Sequence, residues 1–147
     1  MIVKSLLVED DEYKADSLQE AMPRNYQIRI ARSVSSAVRA VVEDIFDVVF
    51  LDMALPTFEK NAGSGSGSSQ PQGGVEVLRA LKFINKKTKI IIVSQYSGVE
   101  VDNDFVQLRD SARVLSEKYS LDVVGAVAYD FEDDGWRIDL SEVMERI

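Results

Sequence analysis

The 147-residue sequence contains no cysteine and no histidine. The first absence excludes disulfides and thiolate metal sites. The second removes zinc–imidazole chemistry, serine–histidine triads and any role as a phosphohistidine carrier. Basic residues form no stripe, and the formal net charge is −8, which argues against nucleic acid as a partner because phosphate-backbone binding depends on clustered Lys and Arg. The acidity reads as solubility. Apolar runs stop at about five residues, where a membrane-spanning helix needs roughly 20. Met1-Ile2-Val3-Lys4-Ser5 lacks the basic start and long apolar core of a signal peptide. No membrane partner is expected, and cytoplasmic localisation is the default.

What is there is an alternation. Ile2–Val8 is an apolar strand pattern that ends in Glu9, Asp10, Asp11 and Glu12, and Tyr13, Leu18, Ala21 and Met22 then form a helical stripe closed by Pro23. Tyr26–Ala31 alternates like a short strand. Ser33, Ser35 or Ser36 can cap the next helix, whose apolar face is Val34, Ala37, Val38, Val41, Val42 and Ile45. Asp47–Leu51, Lys89–Ser94 and Val123–Ala128 are three more strands, with helical patterns at Val75–Ile84, Leu108–Tyr119 and Ile138–Ile147. Five strands alternating with five helices predict one α/β domain, a mostly parallel three-layer sandwich. Strands without polar alternation predict a sheet covered on both faces. Thr57–Gly74 is a Gly/Ser-rich low-complexity insertion, expected to be flexible.

Sites in such folds form at the carboxyl ends of strands. The first strand ends at Glu9-Asp10, the third at Asp52 and the fourth at Ser94. Three converging carboxylates cannot all stay ionised without a cation. An all-oxygen donor set without His or Cys favours Mg²⁺, or Mn²⁺, with open positions for phosphate oxygens. Acids after a strand also serve as helix caps, and Asp11 and Glu12 are best read that way. Asp52 is not, since Met53-Ala54-Leu55-Pro56 starts no helix.

Leu6-Leu7-Val8-Glu9-Asp10-Asp11-Glu12, Val48-Val49-Phe50-Leu51-Asp52-Met53-Ala54-Leu55-Pro56 and Ile90-Ile91-Ile92-Val93-Ser94 resemble the receiver domains of two-component response regulators. Gly74–Leu81 resembles the third helix of that family, so the likeness runs along nearly the whole chain. It implies a doubly wound, flavodoxin-like sheet of order 2-1-3-4-5. It also implies that Asp52 is the phosphoacceptor and that the metal is held by Glu9, Asp10, Asp52 and the backbone carbonyl of Ala54. Ser94 would contact the phosphoryl group and act as the switch. The implied partners are a histidine kinase or phosphotransfer protein and an unnamed downstream protein, and homodimerisation is left open. No enzyme activity is implied beyond the domain's own phosphorylation and dephosphorylation.

The sequence departs from the family at the fifth strand, where a lysine followed by proline is usual. No lysine follows Lys118 and no proline follows Pro71, and Tyr129 stands near the lysine's place. Gly74 lies 22 positions after Asp52, a separation stretched by the Gly/Ser insertion. Gln95–Gln107 is longer and more acidic than the family's usual turn. Tyr129 and Trp136 are either a partner-binding face or, as general burial tendencies favour for Trp136, packing for the last helix. Two functions follow. One is a receiver that accepts a phosphoryl group on Asp52 in a phosphorelay and signals by protein contact. The alternative is a phosphorylation-independent pseudo-receiver that serves as a protein-binding module. A dehalogenase-type phosphatase would need a second acid at position 54, which is alanine. A flavin-binding loop would not be anionic.

Overall fold

A computed structural model of the chain describes residues 1–58, 69–70, 73–85 and 87–147. Most of the Gly/Ser insertion expected over 57–74 lies outside the described residues. Five parallel strands, β1 (Val3–Val8), β2 (Tyr26–Ala31), β3 (Val48–Leu51), β4 (Lys89–Ser94) and β5 (Asp122–Ala128), form one sheet in the order β2-β1-β3-β4-β5. Helices α1 (Glu12–Ala21), α2 (Val34–Glu43), α3 (Gly73–Ile84), α4 (Leu108–Tyr119) and α5 (Trp136–Met144) make the crossovers. Both the expected layer architecture and the expected strand order are present.

Side chains on a strand point alternately to opposite faces, and the apolar runs therefore fill two cores. Leu6, Val8, Val49, Leu51, Ile90 and Ile92 pack beneath α2, α3 and α4, with Val41, Leu78 and Leu115. Leu7, Val48, Phe50, Ile91, Val93 and Val127 pack beneath α1 and α5, with Leu18, Leu140 and Trp136.

The helix starts follow from capping chemistry. Asp11 caps α1 by accepting from the Lys14 backbone N–H at 2.8 Å. Ser33 and Ser36 form a reciprocal capping box on α2. The expected helix faces need correction. Tyr13 is exposed, and the buried positions of α1 are Lys14, Ala15 and Leu18. On α2 the core takes Ala37, Ala40 and Val41 while Val42 faces out, because a ten-residue helix can turn only one stripe to a flat sheet, and Ile45 lies exposed beyond the helix end.

The segment Gln95–Gln107 is not the plain loop its acidity suggested. Gly98–Val101 and Asp104–Gln107 pair antiparallel as a hairpin. Its two turn residues, Asp102 and Asn103, take positive φ, the conformation a tight hairpin turn needs and Asp and Asn tolerate. Val99 and Val101 are buried toward the core, and Asp102 pairs with Lys118 of α4.

Candidate functional site

Parallel registration brings the ends of β1, β3 and β4 side by side, and backbone bonds continue the ladder beyond them. The N–H of Asp52 donates to Val8 O at 3.1 Å, that of Glu9 to Ala31 O at 3.0 Å, and that of Tyr129 to Ser94 O at 2.8 Å. Glu9, Asp10 and Asp52 thereby offer carboxylate oxygens that all lie within 4.8 Å of one another. Glu9 and Asp52 are each only 1% exposed, and Asp10 is half-buried.

Each of the two buried carboxylates has one oxygen on a backbone N–H. Asp52 Oδ1 accepts from the Ala54 N–H at 3.1 Å, and Glu9 Oε2 accepts from the Asp11 N–H at 3.1 Å. Asp52 Oδ2 is buried without a hydrogen-bond partner. Burial pushes Glu9 up to about 8, reinforced by the neighbouring Asp52 charge and opposed by Lys14. Burial also raises Asp52 above the usual carboxylate range, against the pull of Lys14 and of the Ala54 N–H. Clustered buried acids with raised pKa values make this strand edge a candidate functional site.

The loop after Asp52 is drawn tight by glycine. The Gly74 N–H donates to Met53 O at 2.8 Å. A Cβ at Gly74 would stand 2.7 Å from Met53 Cα and 3.0 Å from Asp52 O. Only glycine lets α3 start so close to the strand end, and α3 keeps this place despite the insertion. A cavity of about 370 Å³, lined by Met53, Ala54, Ser94, Tyr96, Gly98 and Phe105, opens beside the cluster. A larger hollow of about 1310 Å³ sits at the opposite, amino-terminal edge near Val3, Asp47 and Lys89, far from any concentrated chemistry.

No family model matches the chain. The Detocs response regulatory protein DtcB of Vibrio alginolyticus is 30% identical over 133 residues, spanning 87% of this chain and 89% of that protein. The chain belongs to the response regulator receiver family. Its fold agrees with solved receivers. The CheY-like receiver domain protein of Methanospirillum hungatei superposes with a TM-score of 0.64 at 20% identity, covering 99% of this chain and 94% of the other. The response regulator domain of Thermotoga maritima CheB gives 0.65 at 16%, covering 99% and 93%.

In this receiver the residues expected at the strand ends are brought together. Ser94 is buried, and its hydroxyl accepts from the Tyr96 N–H at 3.0 Å, which ties β4 to the segment that follows. Tyr129 stands at the end of β5, beside Ser94. It is buried together with Trp136, at 4% and 3% exposure, so these two rings are packing and not a partner-binding face. Their centroids are 4.9 Å apart, and Phe131 stacks edge-on to Tyr129 at 4.9 Å.

Sequence reasoning missed Lys14. Its Nζ stands 2.6 Å from Glu9 Oε1 and 3.5 Å from Asp52 Oδ2, and it donates to Val93 O at 3.1 Å and to Gln95 Oε1 at 2.7 Å. The Tyr129 ring lies 5.6 Å from it, within reach of a cation–π contact. A signal existed. Lys14 is one turn before Leu18, on the stripe that faces the sheet, and a lysine on such a stripe needs buried partners.

Proposed function

We propose that this receiver accepts a phosphoryl group on Asp52 from a histidine kinase or phosphotransfer protein and passes the signal on by protein–protein contact. The observation that carries the reading is Asp52 Oδ2, a buried carboxylate oxygen with no hydrogen-bond partner inside a three-carboxylate cluster. Its charged neighbours are the Lys14 ammonium, 3.5 Å away, and the Glu9 side chain. Oδ2 attacks the phosphorus of a phosphohistidine, a P–O bond forms as the P–N bond breaks, and the electron pair leaves with the imidazole.

The donor set fits a hard divalent cation. Glu9, Asp10 and Asp52 bring three carboxylates together, and Lys14 sets one positive charge beside two of them. Oxygen donors alone suit Mg²⁺ or Mn²⁺, held by Glu9, Asp10, Asp52 and the Ala54 carbonyl. Bound there, the ion neutralises the anionic phosphoryl oxygens. The chain's own part is to hold Asp52 Oδ1 on the Ala54 N–H, so that Oδ2 points away from it. Ser94, with its hydroxyl on the Tyr96 backbone, links the site to the hairpin and α4 in the role of a switch.

The test is to incubate the protein with Mg²⁺ and acetyl phosphate and to record the intact mass beside Asp52→Asn. One added phosphoryl group, absent without metal and absent in the variant, is the expected result. No adduct would sink the acceptor reading and favour the phosphorylation-independent binding module.

A further inference from the structure

The transfer just described leaves one buried group without a task. Lys14 is the only lysine or arginine among the described residues that is buried, at 0% exposure. Burying an ammonium costs several kcal/mol unless partners surround it, and here they do. Glu9 Oε1, the Val93 carbonyl and Gln95 Oε1 stand within 2.6–3.1 Å of Nζ, enough for its three N–H donors. Asp52 Oδ2, at 3.5 Å, is close but outside hydrogen-bond range. The ammonium is therefore anchored on three sides, with the acceptor oxygen a short gap away.

A phosphoryl group joined to Oδ2 as an acyl phosphate would bring anionic oxygens to the edge of that gap. We propose that Lys14 is the phosphoryl-contacting cation of this receiver, delivered by the first turn of α1 rather than by β5, with Gln95 as its positioning residue. The proposal rests on the phosphoacceptor reading of Asp52. It gives Tyr129 a consistent part as well, since at the end of β5 its ring packs under the ammonium and fills the space with aromatic surface. It also explains a bulky residue at position 95, because a small side chain there would leave one ammonium proton without an acceptor.

Contact with the phosphoryl group and mere scaffolding have different signatures. A fixed positive charge beside three carboxylates weakens their hold on a second cation, so removing it tightens Mg²⁺ binding. The same removal withdraws charge stabilisation from the transferring group and slows transfer, by roughly 100-fold for a preorganised donor. A structural defect would lower both. The experiment follows the intact mass over time with acetyl phosphate, and titrates MgCl₂ calorimetrically into the wild type, Lys14→Met, which keeps the length of the stem, and Lys14→Arg, which keeps the charge. Lys14→Met is expected to lose tenfold or more in phosphorylation rate while binding Mg²⁺ more tightly, and Lys14→Arg to recover part of the rate. Should Lys14→Met fold poorly, Lys14→Met combined with Tyr129→Lys returns a cation from β5 and is expected to restore phosphorylation. A wild type that is modified and a Lys14→Met variant that matches it in rate would overturn the inference and leave the acceptor reading standing. Loss of both rate and Mg²⁺ affinity would reduce Lys14 to scaffold and overturn it too. A wild type that takes up no phosphoryl group would remove the acceptor reading, and this inference with it.

Discussion

The two ends of β4 each meet a lysine–carboxylate pair, and the pairs differ in almost everything but length. At the amino end, Lys89 of the strand itself reaches Asp122 of β5 at 2.8 Å, with side chains 35% and 50% exposed. At the carboxyl end, beside the Val93 carbonyl, Lys14 reaches Glu9 at 2.6 Å, with side chains 0% and 1% exposed. In the first pair water screens both charges, and the pair contributes little. In the second, desolvation dominates and pushes Glu9 up to about 8, so its carboxylate ionises beside the ammonium only in alkaline solution. Bond length alone does not measure an ion pair. The exposed pair decorates a strand start, whereas the buried pair is retained where stability alone would favour apolar residues.

The largest effect is expected on breaking the buried pair. Lys14→Ala should lower the unfolding free energy by about 3–5 kcal/mol, read from urea denaturation at pH 8. The loss should be smaller at pH 5, where Glu9 carries its proton and is not left as a bare charge. The native protein without metal should itself respond to pH. Glu9 is pushed up from 4.5 to about 8, so between those values the folded state holds a proton that the unfolded state has released. The stability linked to it is complete below about pH 4.5 and is lost as the pH rises through about 8. Thermal midpoints in EDTA should therefore fall across that window, and Mg²⁺ should raise them most at its alkaline end. Glu9→Gln removes this proton and should flatten the profile, with a higher midpoint than wild type at pH 8. If its profile keeps the wild-type slope, Glu9 is not the group responsible. The smallest effect belongs to the exposed pair: Asp122→Asn should change stability by no more than about 1 kcal/mol and should fade further in high salt.

The fold was legible because each strand is a run of apolar residues with a sharp polar end, and those ends also mark the site. Val8-Glu9, Leu51-Asp52 and Val93-Ser94 are at once strand boundaries and the positions where chemistry gathers. Two features were not legible. The hairpin over Gly98–Gln107 alternates weakly, with Glu100 between Val99 and Val101, and such a short two-stranded unit is stabilised by its packing on α4 rather than by its own pattern. Lys14 was hidden because charge at a helix position ordinarily signals the solvent face, and the acids that reverse that expectation follow two other elements, β1 and β3. A stripe read from polarity alone chose Tyr13, which lies outside, over its neighbour within.

The chain of rings that begins under the ammonium has a practical consequence. Trp136 is the sole tryptophan, and it is separated from the Lys14 ammonium by one aromatic ring, Tyr129. Indole emission responds to nearby charge and to the packing of adjacent rings. The protein therefore contains its own optical gauge, buried and unlabelled, reporting from behind the acid cluster. Any event that moves the ammonium or tilts Tyr129 should register as a change in one fluorophore's colour or brightness.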